Sequence, residues 1–210
     1  MFVDKPKGMS SFSVIRALRK KLKIRKMGHA GTLDPIATGL LIIGVGNGTK
    51  RLAGYFNLPK VYLIDILLGK QTDTGDITGA VTGQQEVRSI SEEEVRGVLK
   101  GLEGVVEMPI PLYSAVKHKG MPFYKYARKR IKIEPRLRKS EIFYLNLLET
   151  KEGPDGPMIT VEMKCQKGTY ARSVAEEIGK RLGTLATVSD LRRMQVGDIS
   201  VSQAKRLDEF

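Results

Sequence analysis

One cysteine, two histidines and no tryptophan stand in a chain of 210 residues, and these scarcities exclude several classes of protein. A lone cysteine, Cys165, rules out an internal disulfide framework and any multi-cysteine zinc site, and it fits a reducing cytoplasm. His29 and His118 lie far apart and lack cysteine companions, so no histidine-based metal site is expected. Long apolar runs are missing too: residues 40–43 are far short of the roughly 20 residues that cross a bilayer, and no membrane is expected. Residues 1–6 show no charged region followed by an apolar stretch and a small-residue cleavage site, so no secretory signal is read there. Acidic side chains are outnumbered, 23 Asp and Glu against 36 Lys and Arg, which leaves a net charge of +13.

The basic excess is clustered. Residues 16–26 carry Arg16, Arg19, Lys20, Lys21, Lys23, Arg25 and Lys26 with no acid. Residues 117–139 carry ten basic side chains against Glu134 alone, a local +9. Such clusters favour a polyanion, because every phosphate neutralised releases condensed counterions. Neither cluster has the strong apolar face of an interfacial helix, so nucleic acid is the expected partner.

The apolar pattern reads as one compact α+β body with a mixed, largely antiparallel sheet flanked by helices. Helices are predicted over 10–21, 49–56, 91–102 and 169–182, with a short one at 202–209. Ser91 and Glu94 form a capping box, and Gly183 marks a helix stop. Strands are predicted over 40–45, 60–68, 80–82 and 184–194, and a hairpin joins 142–148 to 158–165 across a turn at 152–157.

Two features imitate chemistry. Residues 44–50 (GVGNGTK) follow a strand and precede a helix, yet Thr49 precedes Lys50 where a phosphate-binding loop needs glycine, so no nucleotide cofactor is expected. Cys165 sits in a predicted strand, where packing is its ordinary role. Asp34 remains, within GHAGTLDPIATG at 28–39. Pro35 restricts Asp34 to extended or turn backbone, while Gly28, Gly31 and Gly39 allow close approach. Spacing alone leaves Asp34 open between turn initiation or helix capping, which it favours, and a nucleophile or general base.

The stretch GHAGTLDPIATGLL resembles the catalytic motif of the TruB family, bacterial tRNA pseudouridine synthases that isomerise the uridine at position 55 of the T loop. Further similar segments follow in the family's order: DKPKGMSS at 4–11, KVY at 60–62, GKQTDTGDITG at 69–79, PLYSAVK at 111–117, GTYARS at 168–173 and LRR at 191–193. The resemblance implies a pseudouridine synthase fold and a cofactor-free isomerase in which Asp34 is the catalytic carboxylate, Arg172 pairs with it, and Tyr62 stacks on the uracil and takes the C5 proton. It also implies that Tyr170 and Leu191 close the pocket, that His29 wedges near the flipped bases, and that an insertion at about 112–139 clasps the RNA with Lys117, Arg128 and Arg130. Phe123, Tyr124 and Tyr126 interleave with that charge and suit base stacking.

Family members commonly continue into a small RNA-binding domain of the PUA type. The expectation for residues 1–210 is the catalytic domain without it, working as a monomer on the tRNA T stem-loop. The alternatives are a guide-dependent, dyskerin-like synthase and a non-catalytic tRNA-binding or chaperone module. From the charge pattern, replacing Arg128 and Arg130 by glutamate is expected to weaken RNA binding and to flatten the slope of log affinity against log salt by about 0.7–0.9 per lost phosphate contact. A salt titration checks this, and unchanged affinity across the series contradicts it.

Overall fold

The run Lys60–Leu68 alternates its faces so that Ile64, Ile66 and Leu68 enter the main core, and this strand forms the middle of the sheet. The computed structural model describes residues 1–210 apart from Arg130, Lys132 and Pro135. In chain order its strands are β1 (Phe2–Lys5), β2 (Met27–Ala30), β3 (Thr38–Val45), β4 (Lys60–Leu68), β5 (Lys70–Thr72), β6 (Val81–Gln84), β7 (Gly104–Pro109), β8 (Lys117–His118), β9 (Met121–Pro122), β10 (Leu137–Gly153), β11 (Gly156–Cys165), β12 (Ala186–Val196), β13 (Ile199–Ser200) and β14 (Lys205–Arg206). The α-helices are α1 (Ser11–Leu22), α2 (Leu52–Phe56), α3 (Glu92–Lys100), α4 (Phe123–Arg128) and α5 (Ala171–Arg181). None of the described helices is long and apolar enough to cross a membrane.

Among the described residues, the main sheet runs β14-β1-β3-β12-β4-β11-β10-β7, with β2 and β13 attached to β3 and β12. Only the β1–β14 and β3–β12 pairings are parallel, so the sheet is mixed and mostly antiparallel, as the sequence pattern indicates. Helices α3 and α5 cover one face: Val95 and Leu99, with Val174, Ala175 and Ile178, pack on Ile64, Val161 and Met163. Each fully buried large aliphatic there contributes about 1.5–3 kcal/mol. Helix α1 lays Val14, Ile15 and Leu18 against Val3, Leu41 and Ile43, and its basic residues face outward. Ser10 caps it by accepting from the Ser13 backbone, and Lys23 in the left-handed region stops it.

The structure departs from the sequence reading in several places. The hairpin is longer, because β10 and β11 stay paired to Gly153 and Gly156, and β10 also begins earlier, where residues 137–142 pair with β7. Residues 137–139, read as part of the basic insertion, therefore begin a strand of the main sheet. No α-helix forms over 202–209: Lys205 and Arg206 pair with β1 between two short 3-10 turns. Phe123 is fully buried and Tyr126 donates to the His118 carbonyl at 2.9 Å, so of the three interleaved aromatics these two serve the packing of the small β8–β9–α4 unit.

The sheet's two halves meet where β3 touches β12, with Thr38 opposite Arg192 and Gly39 opposite Arg193. Gly39 has φ +97°, and a Cβ there would lie 2.3 Å from the Arg193 carbonyl oxygen. Gly39→Ala is accordingly expected to destabilise the protein by about 3 kcal/mol or more, from backbone strain plus a clash with main chain that has no room to yield. Denaturant unfolding of the two proteins measures this; a midpoint shift worth under about 1 kcal/mol contradicts it.

Candidate active site

Asp34 lies in the loop from β2 to β3, and that loop is pinned on all sides. The Ser11 hydroxyl accepts from the Leu33 N–H at 2.8 Å and donates to the Leu33 carbonyl at 3.2 Å. The Gly8 N–H donates to the Pro35 carbonyl at 2.8 Å, and the Ala37 N–H to the Asp34 carbonyl at 3.1 Å. Leu33, Ile36 and Ala37 are buried, which roots the loop and leaves the Asp34 side chain 32% exposed. Beneath it the fully buried Lys5 donates to the carbonyls of Pro6 and Met9 at 2.9 and 2.5 Å. Burial lowers the Lys5 ammonium to about 8, against an upward pull from Asp34.

Arg172 enters from the first turn of α5. Its Nε stands 3.0 Å from Asp34 Oδ2, and its side chain is only 4% exposed. The other two guanidinium nitrogens donate to the Thr74 carbonyl at 2.7 Å and the Tyr113 carbonyl at 3.0 Å. The planar fork thus has one position, which a lysine could not reproduce. Burial pushes the Asp34 carboxyl above the usual aspartate range; Arg172 pulls it back, and the nearby Asp76 adds to the rise. A buried ion pair of this kind adds little net stability, so its value lies in orientation and charge.

The pair opens into a cavity of about 750 Å³. Tyr62 of β4, Leu191 and Arg193 of β12, and Tyr170 just ahead of α5 line it, with Tyr124 and Arg128 also on its wall. These positions follow from the topology: β3, β12 and β4 are neighbours, so the Asp34 loop, Leu191 and Tyr62 meet at one place on the sheet. Arg128 lies over the Tyr124 ring, 5.6 Å from its centroid.

Six of the residues singled out from sequence, Asp34, Tyr62, Arg172, Tyr170, Leu191 and Arg128, therefore share one cavity. His29 and Lys117 are not on its wall. His29 is half-buried on β2, where burial and the Arg193 charge lower its pKa. Lys117 is exposed on β8, and Arg130 lies outside the described residues. No metal-ligating cluster occurs among the described residues, and burial raises the Cys165 thiol to about 11, which suits packing. Sequence reading assigned no role to Lys5, Lys60 or Arg193. Strand parity would have found the last, since Leu191 and Arg193 share the inward face of β12 while Arg192 points out to Asp4 at 2.6 Å.

The electrostatics give a direct expectation. The Asp34 carboxyl should titrate above the ordinary aspartate range, and Arg172→Gln should move it higher still, because the lost guanidinium favours the ionised form. Carbon-detected NMR of the carboxyl resonance reads both; a downward move in the variant contradicts the pairing.

Comparison with known proteins places this geometry. Residues 19–171 match the family model described as TruB family pseudouridylate synthase (N terminal domain). A protein of Syntrophotalea carbinolica named tRNA pseudouridine synthase B is 38% identical over 208 residues, spanning 99% of this chain and 67% of that protein. The protein of the same name in Caldicellulosiruptor saccharolyticus is 41% identical over 208 residues, spanning 99% and 70%. Among solved structures, a chain from "Crystal Structure of a Cbf5-Nop10-Gar1 Complex" superposes with a TM-score of 0.75 at 27% identity, covering 98% of this chain and 51% of that one. This chain thus spans about half the length of the solved chain it matches. With the carboxylate, the guanidinium and the aromatic wall in one cavity and a family match across most of its length, the chain belongs to the TruB family of pseudouridylate synthases.

Proposed function

We propose that this protein isomerises uridine to pseudouridine at position 55 in the T loop of tRNA, acting in the cytoplasm as a monomer without guide RNA, metal or cofactor. The observation that carries this reading is the Asp34 carboxylate, pinned at its backbone, held on Arg172 and facing a cavity with an aromatic wall. The names of the curated relatives support tRNA as the substrate, and the charge of +13 supports an RNA partner.

In this reading the target nucleotide swings out of its loop, because the reacting atoms are out of reach within a stack. The cavity is of a size that encloses a small organic ligand. Tyr62 stacks on the uracil, worth about 1–3 kcal/mol and part of the cost of extrusion. Tyr170 and Leu191 form the opposing walls. Asp34 attacks the nucleoside as the bond from ribose to N1 breaks, the uracil turns, and the ribose is rejoined at C5, which then gives up its proton to Tyr62. Arg172 keeps Asp34 ionised against the pull of burial. Arg128 and Tyr124 at the cavity wall take phosphates and a neighbouring base, Lys117 and Arg130 take further phosphates, and His29 wedges beside the opened loop.

Incubating the protein alone with a T stem-loop RNA and mapping pseudouridine tests this. Wild type is expected to give product at the target uridine, and Asp34→Asn, checked for deamidation, is expected to lose at least about 10³-fold in rate while binding RNA as before. Product only with an added guide points to the dyskerin-like alternative, and binding without product points to a non-catalytic module; either result overturns the proposal.

A further inference from the structure

Two of the arginines on the cavity wall are buried, Arg172 and Arg193, and Arg172 has a carboxylate partner in Asp34. Arg193 is 1% exposed, and among the described residues no carboxylate lies within 4 Å of its guanidinium. A buried guanidinium without a counter-ion is costly to keep. What it touches suggests why it is kept. Its Nε donates to the Leu40 carbonyl at 2.7 Å, and a terminal nitrogen donates to the Gly31 carbonyl at 3.3 Å, so it grips both ends of the segment that carries Asp34. On its other side it faces Tyr62, its directly opposed residue across β12 and β4, and the two share the cavity wall.

We propose that Arg193 is a positioning residue for the last step of the reaction, its single rigid fork fixing the Tyr62 phenol relative to the Asp34 loop so that the phenol oxygen meets the proton on C5. This rests on the functional reading above. In that step the C5–H bond breaks, the proton passes to the Tyr62 oxygen as phenolate, and the electron pair reforms the C5–C6 double bond. N1 takes a proton from water, the phenol returns its own to solvent, and the net change is a proton moved from C5 to N1. Burial opposes a Tyr62 phenolate, and the Arg193 charge counters burial. Lys60, two residues along β4 on the same face and donating to the Phe56 and Leu58 carbonyls at 2.7 and 2.6 Å, adds a further buried cation to the cavity wall beside Arg172 and Arg193. Arginine suits the task because one planar group reaches several oxygens in fixed directions, whereas a lysine supplies the charge without the fork.

The test is a double-mutant cycle of Arg193→Lys and Tyr62→Phe, with single-turnover rates on T stem-loop RNA carrying uridine or [5-²H]uridine at the target position. Arg193→Lys is expected to fold and to bind RNA within a few-fold of wild type. It is expected to lose about 10- to 100-fold in rate, to show a larger deuterium isotope effect than wild type, and to cause no further loss in the Tyr62→Phe background. Arg193→Gln serves in the same cycle should the lysine variant not fold. Losses that add to those of Tyr62→Phe, with equal rates for the two isotopes, overturn the proposal, as does a variant as fast as wild type. An inactive wild type overturns the functional reading itself, whereas an active wild type with additive losses overturns only the role of Arg193.

Discussion

The contact between Asp34 and Arg172 is the constraint around which the rest of the molecule is arranged. A carboxylate beside an apolar core tends to protonate, and a lone guanidinium buried at the start of α5 would be just as costly. Together, with the Thr74 and Tyr113 carbonyls completing the guanidinium's bonds, each makes the other tolerable. Because the fork is satisfied by main chain from two separate loops, its direction is set by the fold and does not have to be found when a substrate arrives. The same holds for the loop below, where Ser11, Gly8 and Lys5 anchor backbone atoms on either side of Asp34.

This arrangement explains the parallel seam between β3 and β12. The seam brings the Asp34 loop against the strand that carries Leu191 and Arg193, and β4 with Tyr62 lies on the far side of that strand. Three neighbouring strands thereby supply the Asp34 loop, the apolar wall and the aromatic ring. The close approach needs a residue without a side chain at 39, a cost in backbone freedom accepted for the sake of the juxtaposition. Exposed basic surface lies on α1 and on the unit around α4, and the latter reaches the cavity wall through Arg128.

Much of this was legible in the sequence where local and tertiary preferences agree. The strand at Lys60–Leu68, the serine caps of α1 and α3 and the Gly183 stop all follow from short-range chemistry, and each is found as read. Where the reading failed, long-range pairing had overruled local pattern. Residues 205–206 extend because β1 offers an edge, and the charged start of β10 is a strand because β7 lies beside it, although Lys139 and Arg138 hide the alternation. Asp34 shows the limit most clearly. Spacing favoured a turn-initiating aspartate, and family resemblance rather than physics raised it to a catalytic candidate; its partner, 138 residues onward, could not be found by any local rule.

The most direct measurement is the structure of this protein bound to a T stem-loop RNA through Asp34→Asn, which can bind without turning over. The account predicts one nucleotide swung out of the loop into the cavity, its uracil on the Tyr62 ring and its reacting carbon within roughly 3–3.5 Å of the side chain at 34, with Arg172 still beside it. An RNA held only on the basic surface, its target uridine still stacked and the cavity empty, would contradict it.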